Sequence, residues 1–185
     1  GVSLIAIPVL AFIFGGRAST GILLPVLMMA DWFGVGYYHR HAQWKYLLKM
    51  LPWAFAGIAL ALWVGQIVND NWFKNIMAVL VFICIGLMLW EERRKDDTSI
   101  FPDKWWFAAA MGILTGFATM IGNVSGPIFA IYLLAMRLQK NKFIGTSAWF
   151  FLIINLTKFP LHIFIWKTIN LSTLKLDLIL LPGIF

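Results

Sequence analysis

From Trp105 to Met136 the chain runs for 32 residues without a charged side chain, interrupted only by Gly122-Asn123-Val124-Ser125-Gly126-Pro127. One crossing of a bilayer takes about 20 residues and two take about 40, so this run fits neither. It predicts two shortened or half-depth helices joined within the membrane. Non-helical backbone at that depth must be buried in protein or line a cavity. Further apolar segments lie at Gly1 to Phe14, Ala18 to Phe33, Met50 to Val68, Trp72 to Trp90, Phe143 to Trp166, and from Leu176 onward. With 61% hydrophobic and 12% charged residues, the chain lies outside the range of soluble domains, so lipid must solvate much of it. The ten Trp suit the headgroup boundary at segment ends. The predicted fold is an all-α membrane protein, a polytopic bundle of about seven or eight transmembrane segments.

The charges give an orientation. A net charge of +7 is distributed among short connections rather than gathered into a nucleic-acid-binding face. Arg40, Lys45 and Lys49 lie in the 37–49 loop; Arg93, Arg94, Lys95 and Lys104 lie at 91–104; Arg137, Lys140 and Lys142 lie at 137–142. The Val68 to Lys74 connection is nearly neutral. The positive-inside rule predicts all three basic loops in the cytoplasm. That holds only if the Trp105 to Met136 run enters the membrane and returns to the same side. Cys84 sits alone within an apolar segment, which excludes a disulfide or CxxC metal site within one chain; no metal or organic cofactor is expected. Gly1 in place of an initiator Met, and the apolar run that ends at Phe185, predict a fragment cut at both ends, without a signal peptide.

Two stretches of the chain match approximately. Gly1-Val2-Ser3 with Pro8 aligns with Asn123-Val124-Ser125 with Pro127, and Gly16-Arg17-Ala18-Ser19-Thr20 aligns with Phe143-Ile144-Gly145-Thr146-Ser147. The loop charges run the two matched long segments in opposite directions, as in inverted-repeat transporters. Residues 1–90 are therefore expected to form one repeat half, 91–104 a cytoplasmic linker, and 105–185 the second half.

The interruption is the first candidate site. Gly122 and Gly126 permit unusual dihedrals, and Pro127 fits the first turn of a new helix. That helix would aim free N–H groups and its positive dipole end into the protein, where Asn123 and Ser125 add donors. This describes a cradle for an oxyanion; it equally describes a kinked helix whose small residues pack tightly. Thr146 and Ser147 open one later segment and Ser19 and Thr20 open its counterpart, either as anion donors or as hydroxyls bonding a carbonyl one turn back. Ionisable residues inside apolar runs are functional candidates. Lys158 is expected to attract the anion, to pair with Asp31, or to snorkel to the interface. Asp31, beside Trp32, reads as interfacial. Arg17 reads as an anion-attracting residue or an ordinary end charge. His39 and His41 are expected in a solvated loop, and His162 as a packed polar residue or a proton-coupling group.

Several of these motifs have a common source. Gly112-Ile113-Leu114-Thr115-Gly116, Gly122-Asn123-Val124-Ser125-Gly126-Pro127, Tyr132-Leu133-Leu134 and Phe143-Ile144-Gly145-Thr146 are similar to the second-half signature of the sulfite exporter TauE/SafE family. Ala18-Ser19-Thr20-Gly21-Ile22-Leu23-Leu24-Pro25, with Tyr38-His39-Arg40 and Trp44-Lys45, resembles that family's first half. Asn123-Val124-Ser125 stands where the family more often has further glycine. The resemblance implies a secondary transporter with about eight helices in two related halves, exporting sulfite, a sulfonate or another small organic anion by alternating access. The implied partners are that anion, the lipid bilayer, and a coupling proton or sodium ion; a homo-oligomer stays open. Channel and structural roles are the alternatives. An enzyme is not expected: Asn123-Val124-Ser125-Gly126 only approximates a protease G-x-S-G, with His162 as the sole base for it.

Overall fold

The computed structural model describes residues 2–93 and 104–169, and every regular element among them is helical. In chain order these are α1 (Val2–Phe14), α2 (Gly16–Tyr38), a 3₁₀ turn (His39–His41), α3 (Trp44–Ile67), α4 (Asp70–Arg93), α5 (Trp105–Gly122), α6 (Gly126–Ala135) and α7 (Lys140–Phe164). Five of these segments are long and apolar enough to cross a membrane; α6 is a shorter apolar helix. Gly1, the 94–103 part of the basic linker and the final run from Leu176 lie outside the described residues.

The helices extend past the apolar runs that announce them. α2 continues to Tyr38 and α3 starts at Trp44, so the expected 37–49 loop shrinks to residues 39–43. Lys45 and Lys49 stand on the first turns of α3. A helix keeps its backbone satisfied through the headgroup region, so the polar flank is helical too. Pro8, Pro25, Pro52 and Pro160 all sit inside helices, which membrane bundles tolerate.

Two helix pairs organise the bundle. α3 and α5 run parallel at backbone contact: a methyl group on Gly116 would fall on the Ala54 carbonyl, one on Gly57 on the Ile113 carbonyl, and one on Gly112 within 2.6 Å of Trp53 Cβ. Gly112 and Gly116 form a G-x-x-x-G stripe, the small-residue surface that lets membrane helices approach closely. α2 and α7 run antiparallel: a methyl group on Gly21 would fall on Thr168, one on Gly34 would lie 3.2 Å from Ala148 Cβ, and one on Gly145 would fall against the Tyr38 carbonyl. Both pairs join helices from opposite sides of the 91–104 linker.

The α5–α6 unit is re-entrant. Phe107 at the start of α5 and Tyr132 near the end of α6 have ring centroids 6.0 Å apart. Tyr132 donates to the Tyr46 carbonyl at 3.2 Å, and Trp53 and Trp105 lie 6.4 Å apart. The Gln43 amide reaches Thr146 Oγ1 at 2.9 Å. The starts of α3, α5 and α7 and the end of α6 therefore share one face, where the basic connections gather. Half-depth describes α6, at about 15 Å for its ten residues; α5 reaches about 27 Å and nearly crosses.

On the opposite face, the start of α2 is capped by α4. Gly15 adopts φ 97°, and the Gly16 amide donates to both Asp70 carboxylate oxygens at 3.0 and 3.3 Å. Asp70 also pairs with Lys74 at 3.2 Å. We expect Asp70→Ala to lower stability by about 1 kcal/mol, the usual worth of an N-terminal cap, read as a lower midpoint of thermal unfolding in detergent. The turn before α7 also holds a positive-φ residue: Arg137, at φ 52°, lies between the short α6 and the long α7. A short helix, a positive-φ turn and a long helix thus occur twice, with the long helices antiparallel.

Candidate functional site

The break between α5 and α6 is built around Asn123. α5 closes with the Asn123 amide on the Thr119 carbonyl at 3.0 Å, and Asn123 itself is left-handed at φ 49° and ψ 28°. Gly122 and Gly126 were expected to supply the unusual dihedrals. Instead they are the last residue of α5 and the first of α6, and neither has positive φ. Asparagine tolerates this conformation, and here its side chain is fixed on both ends. Nδ2 donates to the Thr20 carbonyl at 3.0 Å, while Oδ1 accepts from Lys158 at 2.5 Å.

Lys158 is fully buried and points inward, so it does not snorkel. Its ammonium group also donates to the Thr119 carbonyl and hydroxyl, both at 3.0 Å. Three donors meet three oxygens at the carbonyl-rich end of α5, where the helix dipole favours positive charge. The expected pairing with Asp31 is not made. Asp31 is half-buried and accepts from Asn155 Nδ2 at 2.6 Å, and no carboxylate among the described residues lies within ion-pair distance of Lys158. One turn separates Asn155 from Lys158 on α7, and that turn keeps the two charges apart.

α6 begins immediately beyond. Its first intrahelical bond runs from the Phe129 amide to the Ser125 carbonyl at 3.0 Å, so the amides of Gly126 and Ile128 precede the helical ladder. Ser125 is buried but gives no side-chain cap. Gly126 is exposed, and a side chain built on it would meet nothing within 4 Å. Pro127 follows in the first turn, where its missing N–H costs nothing. Cys84 Sγ holds the Val124 carbonyl from α4 at 2.9 Å, and Phe129 stacks on Phe150 of α7 at 4.1 Å. The result is a break held from α4 and α7, with Gly126 exposed at the start of α6 and Asn123, Val124, Ser125 and Ile128 buried around it.

Not every expected residue joins this site. Thr20 and Lys158 meet at Asn123, but Ser19 and Thr20 direct their hydroxyls to the Gly16 and Arg17 carbonyls at 2.7 and 2.8 Å. Arg17 donates from Nη2 to the Val68 carbonyl at 2.6 Å and lies over Phe73, which ties the α3–α4 turn to α2. Thr146 binds the Lys142 carbonyl at 2.6 Å and the Gln43 amide on the basic face. Twelve residues of helix separate it from Lys158, about 18 Å, so neither Thr146 nor the half-buried Ser147 beside it reaches the break. The break also lies off centre. Thr20 is about 6 Å from the start of α2 and Lys158 about 9 Å from the end of α7.

Two residues were overlooked in the sequence, Thr119 and Asn155. Both were visible as helical spacing: Thr115, Thr119 and Asn123 recur every four residues on α5, and Asn155, Lys158 and His162 follow at three and four on α7. All six side chains are buried, and Lys158 links the two stripes through Thr119 and Asn123. His162 contacts Thr168 Oγ1 at 2.7 Å through Nδ1, and no hydrogen bond joins it to Ser125, so the protease arrangement is not formed. Among the described residues no cluster of His, Cys, Asp and Glu could hold a metal ion.

No curated protein and no solved structure matches the chain significantly. A sequence model of the family described as Sulfite exporter TauE/SafE matches residues 1–185. This multi-pass helical membrane protein, with its buried break beside a lysine, therefore belongs to the sulfite exporter TauE/SafE family, a family of membrane transporters for anions of the sulfite type.

Proposed function

We propose that the protein exports a small anion, such as sulfite, a sulfonate or another small organic anion, by alternating access, and that the anion sits at the start of α6. The observation that carries this reading is the uncapped N-terminus of α6. The amides of Gly126 and Ile128 precede the helical ladder, Ser125 gives no side-chain cap, and the positive dipole end lies beside the exposed Gly126. Such a seat favours an oxyanion by oriented donors, and the nearby ammonium of Lys158 adds to the positive potential. Because that ammonium is fully engaged, Lys158 positions the break rather than grasping the anion.

The duplicated short-helix and long-helix units, with α2 antiparallel to α7, supply a basis for rocking one half against the other. Halves at 1–90 and 105–185, joined through 91–104, remain the proposed division. The face that gathers the 39–43, 104 and 136–140 connections is assigned to the cytoplasm of a bacterial inner membrane on its positive charge.

Gly126→Leu tests the seat. The added side chain enters open space in a helical position, so folding is expected to be kept, with an unchanged thermal midpoint. Anion flux into proteoliposomes is expected to fall by about tenfold, equivalent to ~1.4 kcal/mol of lost binding. Unimpaired flux in the leucine variant would place the anion elsewhere.

A further inference from the structure

We propose that Lys158 is the coupling group of the transporter, and that its ammonium fills a cation seat in the break, so that transport uses protons and needs no sodium. This rests on the anion-transport reading given above.

The seat is made of a helix-terminal carbonyl, a hydroxyl and an amide oxygen, those of Thr119 and Asn123. Three neutral oxygens converging at the end of a broken helix are hard-cation ligands, and a covalently tethered ammonium occupies them here. No mobile metal ion can share that position while the ammonium is present. A buried charge in such a place is stable only while the oxygens surround it.

Loss of the proton changes this contact directly. One N–H bond breaks, the nitrogen keeps the electron pair, and the proton passes to water. The amine then offers two donors to three acceptors, and its new lone pair faces an oxygen. The Thr119 hydroxyl can turn to donate to that lone pair, but the charge-assisted hold on the end of α5 is lost, which weakens the grip on α5 next to the anion seat. Reprotonation from water on the other side restores the third bond.

Buried polar groups flank Lys158 on the same face of α7, and of these His162 can carry a proton. Asn155 lies one turn toward the basic face and is bonded to Asp31, and its buried Oδ1 has no partner among the described residues. His162 lies one turn toward the opposite face, and its buried Nε2 is likewise without a partner. The ionisable groups around Lys158 are therefore Asp31 on α2, His162 on α7, and Cys84 on α4, whose thiol is held on Val124. α5 presents only the uncharged Thr115, Thr119 and Asn123.

The test uses the full-length protein in proteoliposomes, with sulfite, methanesulfonate and lactate as probes. Counterflow exchange is compared with net flux driven by a pH gradient, in sodium and in choline buffers. For the wild type, the gradient is expected to raise net flux about tenfold, and replacing sodium by choline to leave it unchanged. For Lys158→Gln, the ratio of gradient-driven flux to counterflow is expected to fall to about one, whatever the absolute rate. A sodium requirement in the wild type, or a preserved ratio in the variant, overturns the inference while leaving anion transport standing. Absence of wild-type counterflow for every probe overturns both. If the glutamine variant fails to insert, Thr119→Val keeps the amine and removes one acceptor. It should shift the pH midpoint of flux, and an unmoved midpoint overturns the inference.

Discussion

Replacing Gly116 by leucine is expected to prevent assembly of the bundle, with recovery of folded protein after detergent extraction falling to background. The reason is geometric. A first carbon on Gly116 already falls on the Ala54 carbonyl, which is helix backbone and cannot rotate away, and the same holds for Gly57 against Ile113. α3 and α5 would have to separate along the whole stripe, with loss of the packing that drives association where lipid competes for every apolar contact. Overpacking a rigid contact costs about 1–3 kcal/mol, and a leucine against fixed backbone belongs at or above the upper end. Gly126→Leu is the matched control, since the same side chain there meets open space. Recovery of Gly116→Leu at wild-type levels, by fluorescence-detected size exclusion, would show that α3 and α5 do not pack as described.

Asn123→Leu is the second large effect. Asn123 performs three functions at once: it takes the left-handed conformation that ends α5, it accepts from Lys158, and it donates to Thr20. Leucine does none of these, and removing a neutral hydrogen-bond partner of a buried charge costs about 1.5–3 kcal/mol. The expected result is a steep loss of thermal stability together with loss of anion flux. Asn123→Asp separates the two consequences. It keeps an acceptor for Lys158 and tolerates the left-handed turn, so most of the stability should return, while flux stays low because a carboxylate stands beside the anion seat. Restored flux in the aspartate variant would argue against an anion at this position.

The interruption at 122–127 could be read from the sequence because a 32-residue uncharged run is incompatible with either one crossing or two. The return to the basic face followed from Arg137, Lys140 and Lys142. The inner geometry was less legible. Glycine drew attention to 122 and 126, yet the left-handed residue is Asn123, because tertiary bonds at both ends of its side chain outweigh the conformational freedom of its neighbours. Gly112 and Gly116 were legible as a motif but not as the contact with α3, which requires knowing that the two helices run parallel. Thr146 and Lys158 both lie on α7, so the sequence placed them in one site; about 18 Å of helix divides them. The polar stripes of α5 and α7 were present as spacing in the sequence, and only the structure shows that Lys158 reaches from one to Thr119 and Asn123 of the other.

The central claim is that this protein carries a small anion across a membrane. It is tested most directly by the flux of sulfite, a sulfonate and a carboxylate such as lactate into proteoliposomes holding the folded, full-length protein. Saturable flux of at least one of the three is expected, reduced about tenfold by Gly126→Leu. Flux that never exceeds that of empty liposomes for all three anions, with folded protein present, would contradict it.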